Sequence, residues 1–483
     1  MQDVDPVINA FDRLVARDGA RIIIATADIR VSATALDCLS RAASRTLADA
    51  RLMRGSPVGL LGPNGSGFLA ALVAIRRSGH PAALLDSRST AAELVETAAS
   101  LGLSGVLRVR KAWPDGPLDF SMAPCRTGIA ASIAHGMPPG TAVIKMTSGS
   151  GGHPRGVACT SDALLADDAA LRAAMAIECD DRLIAMVPFA HSYGLSSLVV
   201  PALTHGMTLV VPAATGPFAP IAAAARCAAT ILPTVPAWLS AWLRLADPPP
   251  LPSSVRLTIT AGAPLPPQTA HEFRRRFGGG LHVFYGSSES GGITYDRSGE
   301  AGARGTVGEP VPGVRVELQR IDSHEPGAGG RVVVQSQAVA LSYVPGSDGL
   351  LHGGRFVSQD LARWRGAELE IMGRLDRMIN VRGYKVNPVE VERVIAEIPG
   401  VNGVFVHELN RSTSRDGVLN ALVASTDRGL TPEAVLERCR ARLSDYKIPR
   451  RIVLVQALPL TPRGKIDRLA VARLYGCPSS SDA

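Results

Sequence analysis

The sequence predicts an α/β protein with a large N-terminal domain of helix-covered sheets, a β-rich subdomain, and a small α+β C-terminal domain. Three observations carry this expectation. Apolar runs alternate with helical patterns through residues 57–85 and again through 182–259. From about Gly305 the texture changes to short β-rich runs, and past Arg374 it changes once more to a helix–strand mixture. The chain has 483 residues, 46% of them hydrophobic, which at about 100–200 residues per domain leaves ample core for two to four domains.

Taken in chain order, Pro57-Val58-Gly59-Leu60-Leu61 reads as a buried strand, Phe68 to Arg77 as a helix, and Ala82-Ala83-Leu84-Leu85 as the next strand. Strand–helix–strand order implies a largely parallel sheet covered by helices. The alternation returns at Arg182–Val187, Thr208–Pro212, Ala229–Leu232 and Val255–Ile259, with Gly and Pro between elements. Val314–Leu318, Gly330–Gln335 and Leu369–Met372 form the β-rich part. Asn387-Pro388 then opens a helix with Val391, Val394, Ile395 and Ile398 on one face, and Pro399-Gly400 stops it. Val401–His407 and Val418–Ala424 read as strands, and Thr431-Pro432 opens a second helix. The domain boundary is placed between 374 and 375, giving domains 1–374 and 375–483. No fixed-period repeat is present, and the tail Pro478–Ala483 is expected to be disordered.

Composition excludes several classes. The N-terminal residues lack a cationic start followed by an apolar run, which argues against a secretory signal, and no uninterrupted apolar stretch of about 20 residues suggests a membrane span. The seven cysteines are odd in number and form no CxxC, so neither a disulfide framework nor a zinc site is indicated, and a cytoplasmic setting is expected. Net charge is +8, yet the basic residues are scattered. The densest run, Arg274-Arg275-Arg276, has no interleaved aromatics and reads as a solvated helix face, not a nucleic-acid surface. Only five of the 51 cationic residues are lysines: Lys111, Lys145, Lys385, Lys447 and Lys465. Lysine is a compact point charge on a flexible stem where arginine is a planar fork, so these positions stand out, although codon bias explains the scarcity equally well.

Two glycine-rich segments compete for a phosphate role. Gly62-Pro63-Asn64-Gly65-Ser66-Gly67 imitates a Walker A loop, but Phe68 and Leu69 stand where that motif needs Lys and Ser/Thr. It reads as a strand-to-helix turn. The second, Ile144-Lys145-Met146-Thr147-Ser148-Gly149-Ser150-Gly151-Gly152-His153-Pro154-Arg155-Gly156-Val157, leads from a strand into hydroxyls and glycines with a cation at Arg155. Glycines let backbone N–H groups converge on an anion, and the cation offsets phosphate charge.

This second segment resembles TSGTTGxPKG of the adenylate-forming superfamily, which includes acyl- and aryl-CoA ligases, nonribosomal adenylation domains and firefly luciferases. Further motifs match in the family's order from about residue 57 to the end. Pro188-Phe189-Ala190-His191-Ser192-Tyr193-Gly194 resembles the next motif, and Ala261-Gly262-Ala263-Pro264-Leu265 the adenine-side loop. Tyr285-Gly286-Ser287-Ser288-Glu289 is similar to YGxTE, and Gly305-Thr306-Val307-Gly308-Glu309-Pro310 to GxxGxP. Asp360-Leu361 falls where TGD ends. Gly373-Arg374-Leu375-Asp376, Gly383 and Pro388-Val389-Glu390-Val391-Glu392 resemble GRxD…G…PxEVE, and Pro462-Arg463-Gly464-Lys465-Ile466 the C-terminal PxGK. The chain departs from the pattern at Arg155 (for Lys), Ser288 (for Thr), Ser358-Gln359-Asp360 (for TGD) and Arg331 (for the acid of GEI). The first two substitutions keep the charge and the hydroxyl. The third keeps the carboxylate.

The resemblance implies an ATP-dependent ligase that converts a carboxylic acid to an acyl-adenylate and passes the acyl group to a thiol. Thr147, Ser148, Gly149, Ser150 and Gly151 with Arg155 would hold the β- and γ-phosphates, and Glu289 would ligate Mg2+. Gly262, Ala263, Tyr285 and Gly286 would surround adenine, Ser288 would donate to the α-phosphate, and Asp360 would accept from the ribose hydroxyls. Arg374 would lie near ribose, and Lys465 would bridge carboxylate and α-phosphate. Asp376 resembles the hinge of a mobile small domain, and Gly383 the glycine beside which the thiol arm passes. His191 either shapes the carboxylate pocket or is an ordinary packed histidine. Amino-acid-activating relatives carry an aspartate shortly after the Phe of this region, and Phe189–Leu203 contains no acid. An aryl or acyl acid is therefore expected, with Ser287, Gly291 and Gly292 near its tail. Coenzyme A is the expected acceptor, with a carrier-protein phosphopantetheine as the alternative. A degenerate, non-catalytic ligand-binding homologue is the alternative of another class, and retained Lys465, Glu289 and Asp360 weigh against it.

Overall fold

Parallel strands covered on both faces need near-continuous apolar sequence, and the strands Val58–Leu61 and Ala82–Leu85 supply it. In the computed structural model they pair in parallel, flanked by Gly105–Val109 on one side and Val143–Ser148 on the other. The described residues are 5–113, 119–125, 137–148, 154–213, 216–321, 329–346, 349–377, 379–381, 384–409, 418–427, 429–460 and 466–475. This seven-stranded sheet is completed by Phe120–Pro124 at one edge and by Pro154–Cys159 and Ser342–Val344 at the other. The helix Ser66–Arg77 is buried from Ser66 through Ile75, so it is a core helix, not an amphipathic surface one.

A nine-stranded sheet packs beside it, with Arg182–Ile184, Ile231–Thr234, Leu257–Thr260 and Leu281–Ser287 as successive parallel neighbours and Gly291–Tyr295 antiparallel beyond them. Phe11, Phe68 and Phe189 are fully buried in the shared core, the last two in an edge-to-face contact at 5.8 Å between centroids. The first 50 residues, which carry no expected elements, form the helices Pro6–Asp18 and Ala33–Asp49, the strand Ile22–Ala25 and the edge strand Arg30–Ser32 of the nine-stranded sheet.

The β-rich part is a five-stranded sheet containing Arg315–Gln319, Gly330–Gln335 and Glu368–Arg374, close to the expected runs. Its 11-residue strand Arg355–Arg365 was not legible in the sequence, because Arg, Gln and Asp interrupt its apolar positions. The helix Pro388–Ala396 begins as expected, with the Asn387 side chain accepting from the Val389 N–H at 3.1 Å, and buries Val391 and Ile395 against Val406, Leu419 and Val435. This last core is separate from those of the preceding sheets. Where the two parts meet, Asn387 donates to the Met372 carbonyl (2.9 Å) and Arg393 pairs with Glu370 (3.0 Å). Glu370 is buried and also receives Arg363 and Arg365. Burial alone would raise its carboxyl, but Arg363 and the other two cations hold it below the usual range.

Candidate active site

In open sheets of parallel strands, the loops at the carboxyl ends of adjacent strands converge on one edge and form the natural ligand crevice. The candidate residues are distributed in that way. In the first sheet the neighbouring strands Val58–Leu61, Ala82–Leu85 and Val143–Ser148 lead into the Asn64 loop, the Asp86–Arg88 turn and the phosphate-loop candidate. In the second, Arg182–Ile184 leads toward His191, Leu257–Thr260 to Gly262 and Ala263, and Leu281–Ser287 to Ser288 and Glu289. Gly262 has φ 85°, which Cβ-bearing residues resist, so this turn requires glycine.

Strand Val143–Ser148 turns back antiparallel into Pro154–Cys159, placing Thr147 opposite Arg155, and the Thr147 hydroxyl donates to the Arg155 carbonyl at 3.3 Å. Gly149, Ser150 and Gly151 lie outside the described residues, as do Gly383 and Lys465; Leu460 and Ile466, which flank the Lys465 segment in sequence, form an antiparallel bridge. The Arg155 guanidinium lies 4.0 Å from the ring centroid of Tyr343, a cation–π stack. The Tyr343 hydroxyl donates to Glu289 Oε1 at 3.0 Å. One tyrosine thus ties the candidate phosphate cation to the candidate metal carboxylate. Sequence reading missed it, because Tyr343 is far from both in the chain and meets Arg155 only through pairing of Ser342–Val344 with Pro154–Cys159.

A second cluster joins the β-rich sheet to this edge. Tyr285 donates to Asp360 Oδ2 at 2.6 Å, and Arg374 Nη1 donates to Asp360 Oδ1 at 3.1 Å. Arg374 also grips Asp376 with two bonds of 2.9 Å, and the Asp376, Asp360 and Glu289 carboxylates push its pKa up. Burial and the adjacent Asp360 raise the Tyr285 hydroxyl well above the ordinary phenol range, so it stays a donor. Each Asp360 oxygen retains a lone pair for another donor. The strands Arg355–Arg365 and Glu368–Arg374 set this geometry by pairing Asp360 with Arg374.

His191 lies 3.4 Å from Asp86, a carboxylate already held by Arg88 through two bonds of 3.1 Å. Its neighbour Ser192 shares a 2.6 Å hydrogen bond with Ser288. The segment leading to it is stapled by Asn64, whose amide donates to Ala185 O (3.0 Å) and Val187 O (2.9 Å) while its oxygen accepts from Phe189 N (2.8 Å). The loop that imitates a Walker A motif therefore holds the segment between the strand Arg182–Ile184 and His191. Gly291, at φ 69°, abuts buried Asp167, which accepts from the Gly292 N–H at 2.8 Å and so pins the loop carrying Glu289. Asp86, Arg88, Asp167 and Tyr343 sit in no motif and escaped sequence reading, while Asn64 sits in the loop read only as a strand-to-helix turn; each acts on a segment distant in the chain.

Among the described residues no group of three or more metal-ligating side chains is assembled, and no helix is long and apolar enough to cross a membrane. Residues 11–344 match the model of the AMP-binding enzyme family and 390–465 match that of the AMP-binding enzyme C-terminal domain, so the match begins well before the residue-57 limit read from motifs alone. The chain is 29% identical to a feruloyl-CoA synthase of Amycolatopsis sp over 459 residues, 87% of this chain and 89% of that one. It is 28% identical to an indoleacetate–CoA ligase of Aromatoleum aromaticum over 377 residues, covering 75% and 72%. In fold it resembles ATP-bound MatB from Rhodopseudomonas palustris (TM-score 0.82, 22% identity, 98% and 99% covered). The o-succinylbenzoate CoA synthetase MenE from Bacillus subtilis, solved with its acyl-adenylate, is similarly close (TM-score 0.80, 21% identity, 96% and 97% covered).

Proposed function

The chain belongs to the family of AMP-binding enzymes, and on that premise we propose that it joins an aryl or acyl carboxylic acid to coenzyme A through an acyl-adenylate. The observation that carries this reading is the convergence of Arg155, Tyr343 and Glu289 with Tyr285, Asp360 and Arg374 at the carboxyl ends of two sheets. That edge offers a cation for phosphates, a carboxylate for a hard metal and a carboxylate–arginine pair for a ribose.

In the first step the acid's carboxylate oxygen attacks the α-phosphorus of ATP, the bond to the β-phosphate oxygen breaks, and pyrophosphate leaves. Both reactants are anions, so the enzyme's contribution is positioning and charge stabilisation. Arg155 and the Thr147–Gly151 loop hold the leaving phosphates, Ser288 donates to the α-phosphate, and Lys465 bridges the reacting oxygens. Glu289 suits Mg2+, which is bound by one or two carboxylates together with substrate phosphates; the ion, when bound, neutralises developing charge. Asp360 accepts from the ribose hydroxyls while Tyr285 and Arg374 orient it. In the second step a thiol sulfur attacks the acyl carbon and AMP leaves. One site that first excludes water and then admits a thiol requires two arrangements, so residues 375–483 turn as a unit about Asp376.

Relatives named as CoA ligases support coenzyme A over a carrier protein as the acceptor. The absence of acids in Phe189–Leu203 supports a substrate without an α-ammonium group. Three acids from elsewhere approach this region: Asp86 is neutralised by Arg88, Asp168 is taken by His205 at 2.7 Å, and Asp167, which abuts Gly291, has its carboxyl pushed up by burial, which disfavours its charged form. None offers a ready charge to an ammonium, whose unpaired burial would be costly. Pyrophosphate release over a panel of carboxylic acids tests the reading, with thioester formation measured in parallel. Aryl or acyl acids should support release, and proteinogenic amino acids should stay at background. Release with an amino acid alone would overturn the substrate class, and failure of every acid to support release would favour the non-catalytic alternative. Lys465→Ala should abolish adenylate formation yet still convert a supplied acyl-adenylate to thioester, and Gly383→Leu should do the reverse. Equal loss of both steps in both folded variants would refute the two-arrangement mechanism.

A further inference from the structure

A β-ladder matches residues one for one, and a strand with residues to spare must carry them in a bulge, which re-aims the side chains it contains. The carboxylate read as the ribose acceptor stands in such a place. Arg331 pairs with Leu361 and Val333 with Val357, so Ser358, Gln359 and Asp360 together stand against the single residue Val332. The next strand is irregular too. Leu361 pairs with Gly373 but Ala362 with Ile371, which leaves Met372 as the extra residue. The Asp360–Arg374 pair is flanked by these two irregularities.

A bulge disrupts the local ladder, so buried backbone groups within it need other partners. In both bulges a side chain meets a carbonyl. Arg331 Nε donates to Ser358 O at 2.5 Å, and Asn387 Nδ2 donates to Met372 O at 2.9 Å. Ser358 is buried, and its hydroxyl accepts from the Asp360 N–H at 2.9 Å, so the hold on Ser358 passes directly to Asp360. The two braces differ in origin. Asn387 belongs to residues 375–483, which turn in the proposed mechanism, whereas Arg331 lies in the strand Gly330–Gln335, the neighbour of Arg355–Arg365 in one sheet. Only the Arg331 brace persists through both arrangements. Its donor is charged, which makes the bond stronger than a neutral one. Arg331 and Ser358-Gln359-Asp360 are also two of the places where the chain departs from the motif pattern, and this bond joins them. The acid expected at 331 could not donate to a carbonyl when ionised.

We propose that Arg331 is a positioning residue for the nucleotide: by holding the bulge at Ser358 it fixes the Asp360 carboxylate where that group accepts from the ribose hydroxyls. The proposal rests on the reading of Asp360 as the ribose acceptor and adds the residue that aims it. Tyr285 and Arg374 each bond one oxygen of Asp360 and so orient the carboxylate itself. Arg331 sets the backbone from which the carboxylate projects. Without this brace the bulged backbone is freer, and hydrogen bonds to the ribose, which are steep in distance and angle, weaken before the remaining nucleotide contacts do.

The test is calorimetric titration with AMP, 2′-deoxy-AMP and 3′-deoxy-AMP, which requires neither an acid substrate nor turnover. Wild-type protein should bind AMP about 10-fold or more tighter than at least one deoxy analogue, since a site built to bond a hydroxyl rejects the analogue lacking it. Asp360→Ala should erase that ratio. Arg331→Met keeps an apolar stem and loses the donor, so it should compress the ratio several-fold while affinity for the deoxy analogue stays close to wild type. Arg331→Gln, whose amide N–H lies about as far along the side chain as Nε, should regain part of the ratio. Arg315→Met, at an exposed position of the adjoining strand Arg315–Gln319, should change nothing. A merely structural role for Arg331 predicts a lower melting temperature with affinity for all three nucleotides reduced in proportion. That pattern, or an unchanged ratio in Arg331→Met, would overturn the proposal while the loss in Asp360→Ala still upholds the ribose reading. Absent AMP binding, a wild-type ratio near unity, or a ratio that survives Asp360→Ala would overturn the ribose reading and the proposal with it. Should Arg331→Met not fold, Arg331→Leu removes the same donor and is read in the same way.

Discussion

Two glycine-rich loops leave parallel strands of the same sheet, one at Gly62–Gly67 and the other at Ser148–Gly156, and the fold uses them in opposite ways. The first runs into Ser66–Arg77, a helix buried on every side through Ile75, and its polar side chains are spent on backbone, Asn64 at Ala185, Val187 and Phe189 and Ser66 at Ala112. The second turns back into an antiparallel strand whose Arg155 stacks on Tyr343 beside Glu289. Glycine content allows a tight turn in both. The element downstream of the glycines decides the outcome, because an apolar helix must be buried and a strand bearing a cation can keep that cation at the crevice.

The sharpest way to break this comparison is at the two polar side chains. Arg155→Ala should cost about 2–4 kcal/mol of transition-state stabilisation in ATP use, read from kcat/KM in pyrophosphate release, and Arg155→Lys should be mild. Wild-type kinetics in Arg155→Ala would dissolve the distinction between the loops. Asn64→Ala should leave KM for ATP unchanged and lower stability instead. It strips partners from two carbonyls and an N–H in a partly buried segment, a loss of about 2–4 kcal/mol in urea unfolding, with a raised KM for the acid because His191 loses its anchor. An ATP effect larger than the stability effect would reverse the roles assigned to the two loops.

Tyr343→Phe sharpens the second loop alone. It keeps the ring under Arg155 and removes the hydrogen bond to Glu289, so the Mg2+ concentration for half-maximal activity should rise about 10-fold or more with little change in saturated rate. The acceptor is a carboxylate, and a hydrogen bond to a charged group is worth about 1.5–3 kcal/mol, which sets that scale. Tyr343→Leu, which also removes the stack, should add an ATP defect.

The smallest expected effect concerns pH at the base of the segment that Asn64 staples. Burial alone would raise the Asp181 carboxyl, but Arg256, Thr230 and the Glu178 N–H hold it below its ordinary value. A depressed folded value means the stabilisation is complete above the unfolded value, about pH 4, and is lost as pH falls through the folded one. Asp181→Asn should therefore lose less stability than wild type on acidification from pH 5 to pH 3, monitored by circular dichroism. Identical acid sensitivity would remove Asp181 from that role.

Much of this molecule was legible without coordinates. Strands Val58–Leu61, Ala82–Leu85 and Gly330–Gln335 and the Asn387-capped helix stand within a residue or two of their expected starts, because each is encoded by its own local periodicity or cap. The ordered motifs located Thr147, Arg155, Tyr285, Glu289, Asp360 and Arg374. Harder to read was the strand Arg355–Arg365, where neighbours in space impose a conformation that the local pattern does not announce, whereas the helices of the first 50 residues do carry local signals, the caps Asp5 and Ser32, that the reading passed over.

By itself, then, the sequence singled out the candidate residues and the backbone elements that carry them, since both are written in short windows of the chain. Only the tertiary structure decided what those residues touch. Tyr343 meets Arg155 and Glu289 through the pairing of Ser342–Val344 with Pro154–Cys159, His191 meets Asp86 across adjoining sheets, and Asn64 grips the segment before His191 from a loop that looks like a nucleotide site. Side-chain chemistry depends on contacts within a few ångströms, and the packing of the sheets brings those contacts from segments distant in the chain.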